Sequence, residues 1–226
     1  MKTLIISVVL AAVAISASSQ QLSQVTFSGG QSLNHLSFLT DQGVLIRISD
    51  EGKILEWGIE VYSDRFNYYA PKLQPFMGRI EYYGPESDSV FRGKVKSIGT
   101  CSFTYYGSYE NDNKPGKLRT IGTAIMDYYS SFDDKAFRGK IKFAGNQLIE
   151  YYSSFEEEAF RGKLKTIGNS YIKYYSSFDD KAIRGKVKNI GGVPYEWYNS
   201  FDVGRTGGLK TGMYRQIING ITYIIQ

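Results

Sequence analysis

The chain reads as an all-β protein, an antiparallel meander of tandem 23-residue β-hairpin repeats forming an elongated twisted or curved sheet. Three observations predict this. A tyrosine pair recurs every 23 residues, at Tyr82-Tyr83, Tyr105-Tyr106, Tyr128-Tyr129, Tyr151-Tyr152 and Tyr174-Tyr175, with Trp197-Tyr198 as a sixth copy. Segments beside each pair alternate apolar and polar residues, the period of a half-buried strand. Glycines punctuate every unit where the chain must reverse, and no stretch shows the periodicity of a helix. A fixed period of this length marks an architecture in which each small unit buries its face against its neighbours.

In chain order, residues 1–19 come first. Lys2 supplies a positive charge, Leu4 to Ile15 an apolar run, and Ala17-Ser18-Ser19 small residues for cleavage before Gln20. That is the pattern of a secretory signal peptide, and the run is too short to span a bilayer. It implies a secreted, periplasmic or cell-envelope location, and no later segment is apolar enough for a transmembrane helix. Removing the first 19 of 226 residues leaves 207, enough for one domain. Cys101 is the sole cysteine, so stability must come from packing and sheet hydrogen bonds. With 27 basic and 22 acidic residues and a formal charge of +5, the surface is mixed, and with export the composition argues against nucleic acid as a partner.

Residues 20–79 form an N-terminal β cap. Val44 to Ile48, a Ser49-Asp50-Glu51-Gly52 turn and Lys53 to Trp57 predict a hairpin there. The repeats occupy residues 80–210. Two residues before each aromatic pair stand Ile80, Phe103, Met126, Ile149, Ile172 and Tyr195, and one residue before stand Glu81, Thr104, Asp127, Glu150, Lys173 and Glu196. Alternation puts the first tyrosine of each pair on the drier face and the second on the wetter one. A second strand follows Gly93, Gly116, Gly139, Gly162 and Gly185 and reads basic-apolar-basic, as in Lys140-Ile141-Lys142. Ile98, Ile121, Ala144, Ile167 and Ile190 then fall off the two-residue period, which a bulge or a strand end would explain. Tight reversals follow at Gly145-Asn146 and Gly168-Asn169, and longer charged tips such as Glu156-Glu157-Glu158 close the other side. Residues 211–226 form a capping hairpin, in which Asn219-Gly220 suits a type I′ turn. The two ends are expected to cover sheet edges that would otherwise template aggregation.

The unit resembles the MORN repeat, whose pattern is close to Y-x-G-x-W/F-x-x-G-x-x-x-G-x-G. Tyr151, Phe155 and Gly162 match its positions 1, 5 and 12, Gly84 and Gly107 its position-3 glycine, and Gly204 its position-8 glycine. Arg138-Gly139-Lys140 resembles its Gly-Lys segment. Ser130, Ser153 and Ser176 depart from the pattern at position 3, and Ile, Leu or Val replaces glycine at position 14. The resemblance spans about residues 80–210. It implies a single-layer sheet of hairpins and a role as a scaffold or interaction module, some members being membrane-linked, with no catalytic residues and no cofactor.

Little in the sequence points to catalysis. His35 is the only histidine and lies outside the repeats, and Cys101 follows a turn glycine without a motif. The acidic tips lack calcium-loop spacing, and Lys135 and Lys181 within them would repel a cation, so no metal is expected. The stronger surface signals are two stripes. Lys94, Lys117, Lys140, Lys163 and Lys186, with their partners two residues on, predict a basic stripe. Tyr83, Tyr106, Tyr129, Tyr152 and Tyr175 predict an aromatic row beside it. Together they are candidates to bind a glycan or another anionic envelope polymer, by stacking and charge. The plainer alternative is that both stripes only stabilise the sheet, within a structural or protein-protein interaction module that takes no small ligand. Periodicity leaves open a single layer, a barrel or a propeller.

Overall fold

The computed structural model describes residues 20–61, 72–110 and 112–226. The signal peptide expected over residues 1–19, and residues 62–71 of the expected N-terminal cap, lie outside the described residues. Among the described residues the chain is all strand and turn, and the predicted hairpin meander is present.

The five N-terminal strands are β1 (Gln21–Ser28), β2 (Ser32–Leu39), β3 (Leu45–Ile48), β4 (Ile54–Glu60) and β5 (Leu73–Gln74). The repeats supply β6 (Ile80–Tyr82), β7 (Val95–Ile98), β8 (Cys101–Tyr105), β9 (Leu118–Ile121), β10 (Ala124–Tyr128) and β11 (Ile141–Ala144). They continue through β12 (Gln147–Tyr151), β13 (Leu164–Ile167), β14 (Ser170–Tyr174), β15 (Val187–Ile190) and β16 (Val193–Pro194). Strands β6 to β16 form one 11-stranded antiparallel sheet in strict sequence order. The last unit departs from it: β17 (Glu196–Trp197) and β18 (Leu209–Thr211) pair as a separate ribbon.

Each unit carries the same irregularity. In the first, Glu81 faces Ser97 but Tyr82 faces Val95, so Lys96 is the extra residue of a bulge. Arg119, Lys142, Lys165, Lys188 and Lys210 hold the same place in the following units. The bulge, and not a strand end, is therefore why Ile141 and Ala144 are both buried although three residues apart. The tight reversals have glycine at positive φ in the first central position, as at Gly145 (φ 65), the requirement of a type II′ turn.

The C-terminal hairpin forms as expected, with β19 (Arg215–Ile218) and β20 (Ile221–Ile225) joined by Asn219 and Gly220 at φ 50 and 80. Its position differs from the expectation of a cap on the repeat edge. Strand β20 pairs in parallel with β1, Gln24 facing Thr222 and Phe27 facing Ile225, the one parallel pairing among the described strands. The result is a seven-stranded sheet made from both ends of the chain. That sheet lies across the dry face of the repeats. Val25, Phe27, Leu36, Phe38, Ile46 and Ile48 share one core with Ile98, Phe103, Ile121, Met126, Ile149, Ile172 and Ile190. The single-layer sheet implied by the MORN resemblance is thus replaced by two packed layers, because an apolar face one sheet wide must be buried against something.

Turns fasten the layers at both margins. Ile141 N donates to Asp50 O at 2.7 Å and Val187 N to Gly30 O at 2.7 Å. Thr100 N bonds Gln42 Oε1 at 3.1 Å, Thr123 N bonds Gln20 Oε1 at 3.0 Å, and Asn219 Nδ2 reaches Ser170 Oγ at 3.0 Å. At the closest approaches only glycine fits. A β-carbon on Gly52 would overlap the Tyr128 hydroxyl, and one on Gly30 would overlap the Trp197 ring.

Candidate functional site

The two predicted stripes are both present and both joined into the fold. Strands β6, β8, β10, β12 and β14 end at the first tyrosine of each pair, so the second lies one residue beyond the strand, where alternation no longer dictates its side. Tyr106 and Tyr152 are accordingly buried, and Tyr83, Tyr129 and Tyr175 are half-buried, not the exposed row expected. Their hydroxyls donate to main-chain carbonyls one unit on: Tyr83 to Phe103 at 2.8 Å, Tyr106 to Met126 at 2.8 Å, Tyr129 to Ile149 at 3.0 Å, Tyr152 to Ile172 at 2.8 Å and Tyr175 to Tyr195 at 3.1 Å. The rings of Tyr83, Tyr106, Tyr129 and Tyr152 also meet the first tyrosine of the next unit edge-on, as Tyr129 meets Tyr151 with centroids 6.1 Å apart. From Tyr106 onward the bulge residues cover them: Lys142 lies 5.5 Å from the Tyr129 ring centre and Lys188 5.0 Å from that of Tyr175.

The first tyrosines follow the predicted dry face in the middle units, where Tyr128, Tyr151 and Tyr174 are buried. Tyr82 is exposed instead, on an open cleft of about 570 Å³ that it lines with Trp57, Tyr105, Lys94 and Lys117.

The lysine stripe is a set of staples. Lys117, Lys140, Lys163 and Lys186 donate to the carbonyls of Gly139, Gly162, Gly185 and Gly207 at 2.5, 3.0, 2.6 and 2.9 Å, and Lys94 bonds Gly116 in the same way. Each ammonium also sits over the first aromatic ring of the next unit, 4.8 Å from its centre at Tyr128 and 4.2 Å at Trp197. Burial lowers the affinity of Lys94, Lys117 and Lys186 for their protons and brings Lys163 down to about 8.

The acidic tips are staples too. Asp134 Oδ2 accepts from Ser154 N at 3.0 Å and Ser154 Oγ at 2.8 Å, while Oδ1 accepts from Ala136 N at 2.8 Å. Asp88 does the same for Ser108, Asp180 for Ser200, and Asp112 and Glu157 take the amides of Ser131 and Ser177. Hydrogen bonds from these amides and hydroxyls hold Asp88, Asp112, Asp134 and Asp180 below the usual carboxylate range. Among the described residues no group of three or more His, Cys, Asp or Glu side chains gathers as metal ligands would.

His35 is buried in the seven-stranded sheet, where burial and Arg47 lower its pKa to about 4 and keep it neutral. The nearby carboxylate, Glu56, is held by Arg47 at 2.5 Å. Cys101 is buried, and burial pushes its thiol up to about 11, far from a reactive thiolate at neutral pH.

One repeated feature is left unused by the fold. Tyr109, Phe132, Phe155, Phe178 and Phe201 are 98, 96, 95, 95 and 86% exposed. They are 23 residues apart and occupy the same place in consecutive tips. Phe132 is the third residue of a turn closed by Asp133 N to Ser130 O at 3.2 Å, and its own amide donates to Ser130 Oγ at 3.2 Å. Phe178 and Phe201 are held alike, by Ser176 and Asn199. The backbone under each ring is thus pinned while the ring projects outward. No family model matches this chain, and neither does any curated protein or solved structure. The functional reading therefore rests on this geometry. Equivalent tips lie two strands apart, about 9.5 Å, so the rings form a single file at a regular pitch. Sequence reasoning had the signal in hand, since Phe155 is the position-5 aromatic of the MORN-like pattern. An apolar residue in a repeat is ordinarily read as core, however, and only its exposure separates display from packing.

Proposed function

We propose that this chain is an exported, non-catalytic, MORN-like scaffold that displays its aromatic tips to an extended partner in the cell envelope or outside the cell. The row Tyr109, Phe132, Phe155, Phe178 and Phe201 carries the reading. A single exposed apolar side chain needs no explanation, but five at one repeated position are not scatter. These rings contribute little to the fold, because almost none of their surface is buried. The staples beneath them supply the rigidity that a display surface requires, since ordering the contact residues in advance lowers the entropy lost on binding. Catalysis finds no support in the buried, neutral His35 or the buried Cys101 thiol.

The test is co-sedimentation of the purified chain with an envelope fraction of the producing cell. The intact chain is expected to pellet with that fraction. The triple variant Phe132→Ser, Phe155→Ser, Phe178→Ser is expected to stay in solution, with an unchanged melting temperature. Equal sedimentation of the two would overturn the display reading.

A further inference from the structure

We infer, resting on the display reading above, that the aromatic tips bind a neutral, extended, β-linked polysaccharide. The partner must offer flat apolar faces at long regular intervals, because the rings are isolated from one another. Each is flanked by hydrophilic residues, Ser131 and Asp133 around Phe132, Ser154 and Glu156 around Phe155, Ser177 and Asp179 around Phe178. A pyranose ring has such a face of C–H groups, and an aromatic ring stacks on it while the hydroxyls stay at the rim. In an extended β-linked chain successive sugars alternate in orientation, so the same face recurs at every second sugar. That long repeat suits a row in which rings stand two strands, about 9.5 Å, apart.

Charge narrows the class further. The row is bordered by Asp133, Asp134, Glu156, Glu157, Glu158, Asp179 and Asp180, offset within the same tips by Lys135, Arg138, Arg161, Lys181 and Arg184. A polyanion would meet tips that carry no net positive charge, and the five lysines of the stripe are bound to glycine carbonyls of the sheet. An anionic lipid surface would likewise find no net positive charge to attract it, and immersing the tips would strip water from carboxylates, which is expensive. Polysaccharide hydroxyls can instead donate to carboxylate oxygens at the rim. Phenylalanine at four successive tips, with no polar atom of its own, places the recognition in stacking and makes it independent of salt.

Co-sedimentation with microcrystalline cellulose and with chitin tests this, with heparin-agarose and anionic vesicles as comparison arms. The intact chain is expected to pellet with one or both polysaccharides, equally well at about 1 M salt, where the screening length is only ~3 Å. Phe155→Ser should weaken that binding roughly fivefold to tenfold, and Phe155→Trp should keep it. Loss in the triple variant should exceed the single loss, because the rings act as linked contacts on one chain. Binding only to heparin or vesicles, abolished by salt, would overturn the inference. So would concentration-dependent self-association that the triple variant loses, since the row would then be an interface between copies. If the envelope fraction pellets the intact chain and not the triple variant, while neither polysaccharide does, the glycan inference falls and the display reading stands.

Discussion

The same side chain often serves two units in this protein. Lys163 is the clearest case: its ammonium donates to Gly185 O at 2.6 Å and lies 5.2 Å from the centre of the Tyr174 ring. Replacing it with Met keeps the packing of the stem but removes the charge-assisted bond. Lys163→Met should lower stability at neutral pH by about 1 kcal/mol, read from the urea midpoint. The difference should also depend on pH. Burial depresses the folded-state pKa of Lys163 to about 8, so the unfolded chain holds this proton more tightly. Stability from this group is then smallest below about pH 8 and rises as pH climbs toward the ordinary lysine range. The gap between wild type and Lys163→Met should widen over that interval, and a flat or narrowing gap would contradict the assignment. Nothing in the local sequence announces the staple. Lys163 occupies an alternating strand position that reads as a solvated charge, and its acceptor stands 22 residues away in the next unit.

At the scale of the element, the unit is a bulged hairpin with a pinned tip. Its two strands, its tight glycine reversal and its tip were all legible, because period-two alternation and turn glycines act over a few residues; the type of the reversal was not. The bulge was legible only as an anomaly, the three-residue step from Ile141 to Ala144. Resolving it required the pairing itself, since the step alone fits a strand end equally well. The tips make a pH-dependent prediction of their own. Asp88, Asp112, Asp134 and Asp180 have folded pKa values lowered by bonds from their own tip, chiefly Ala136 N at Asp134, and from the next tip, so they stabilise fully above the usual carboxylate range. That contribution is lost as pH falls through the lowered values. Hydrogen exchange at the amides of Ser108, Ser154 and Ser200 should therefore lose protection in acid before the strand amides do. Simultaneous loss along tips and strands would show that the carboxylates carry no separate load. These acidic runs look like solvated loops in the sequence, and their acceptor role appears only when neighbouring tips are stacked.

The whole molecule is held closed by its ends. The turn at Gly29 and Gly30 meets the last units, with Lys186 Nζ on Gly29 O at 2.9 Å and Val187 N on Gly30 O at 2.7 Å. Gly30 has φ 67, and a β-carbon there would strike Trp197. Gly30→Ala should cost about 2–4 kcal/mol, from the left-handed backbone and from displacement of the indole. Chemical denaturation measures this, and a loss under about 1 kcal/mol would mean that the covering layer yields freely. The strands, their order through the repeats, the dry face and the reversing glycines are determined by the sequence alone, because each depends on spacing within one 23-residue unit. The second layer, the parallel pairing of Gln24 to Phe27 with Thr222 to Ile225, the burial of Tyr106 and Tyr152 and the exposure of Phe132, Phe155 and Phe178 are decided by the tertiary structure. Those features depend on which distant surface covers which face, and a local period carries no information about a partner some 200 residues away.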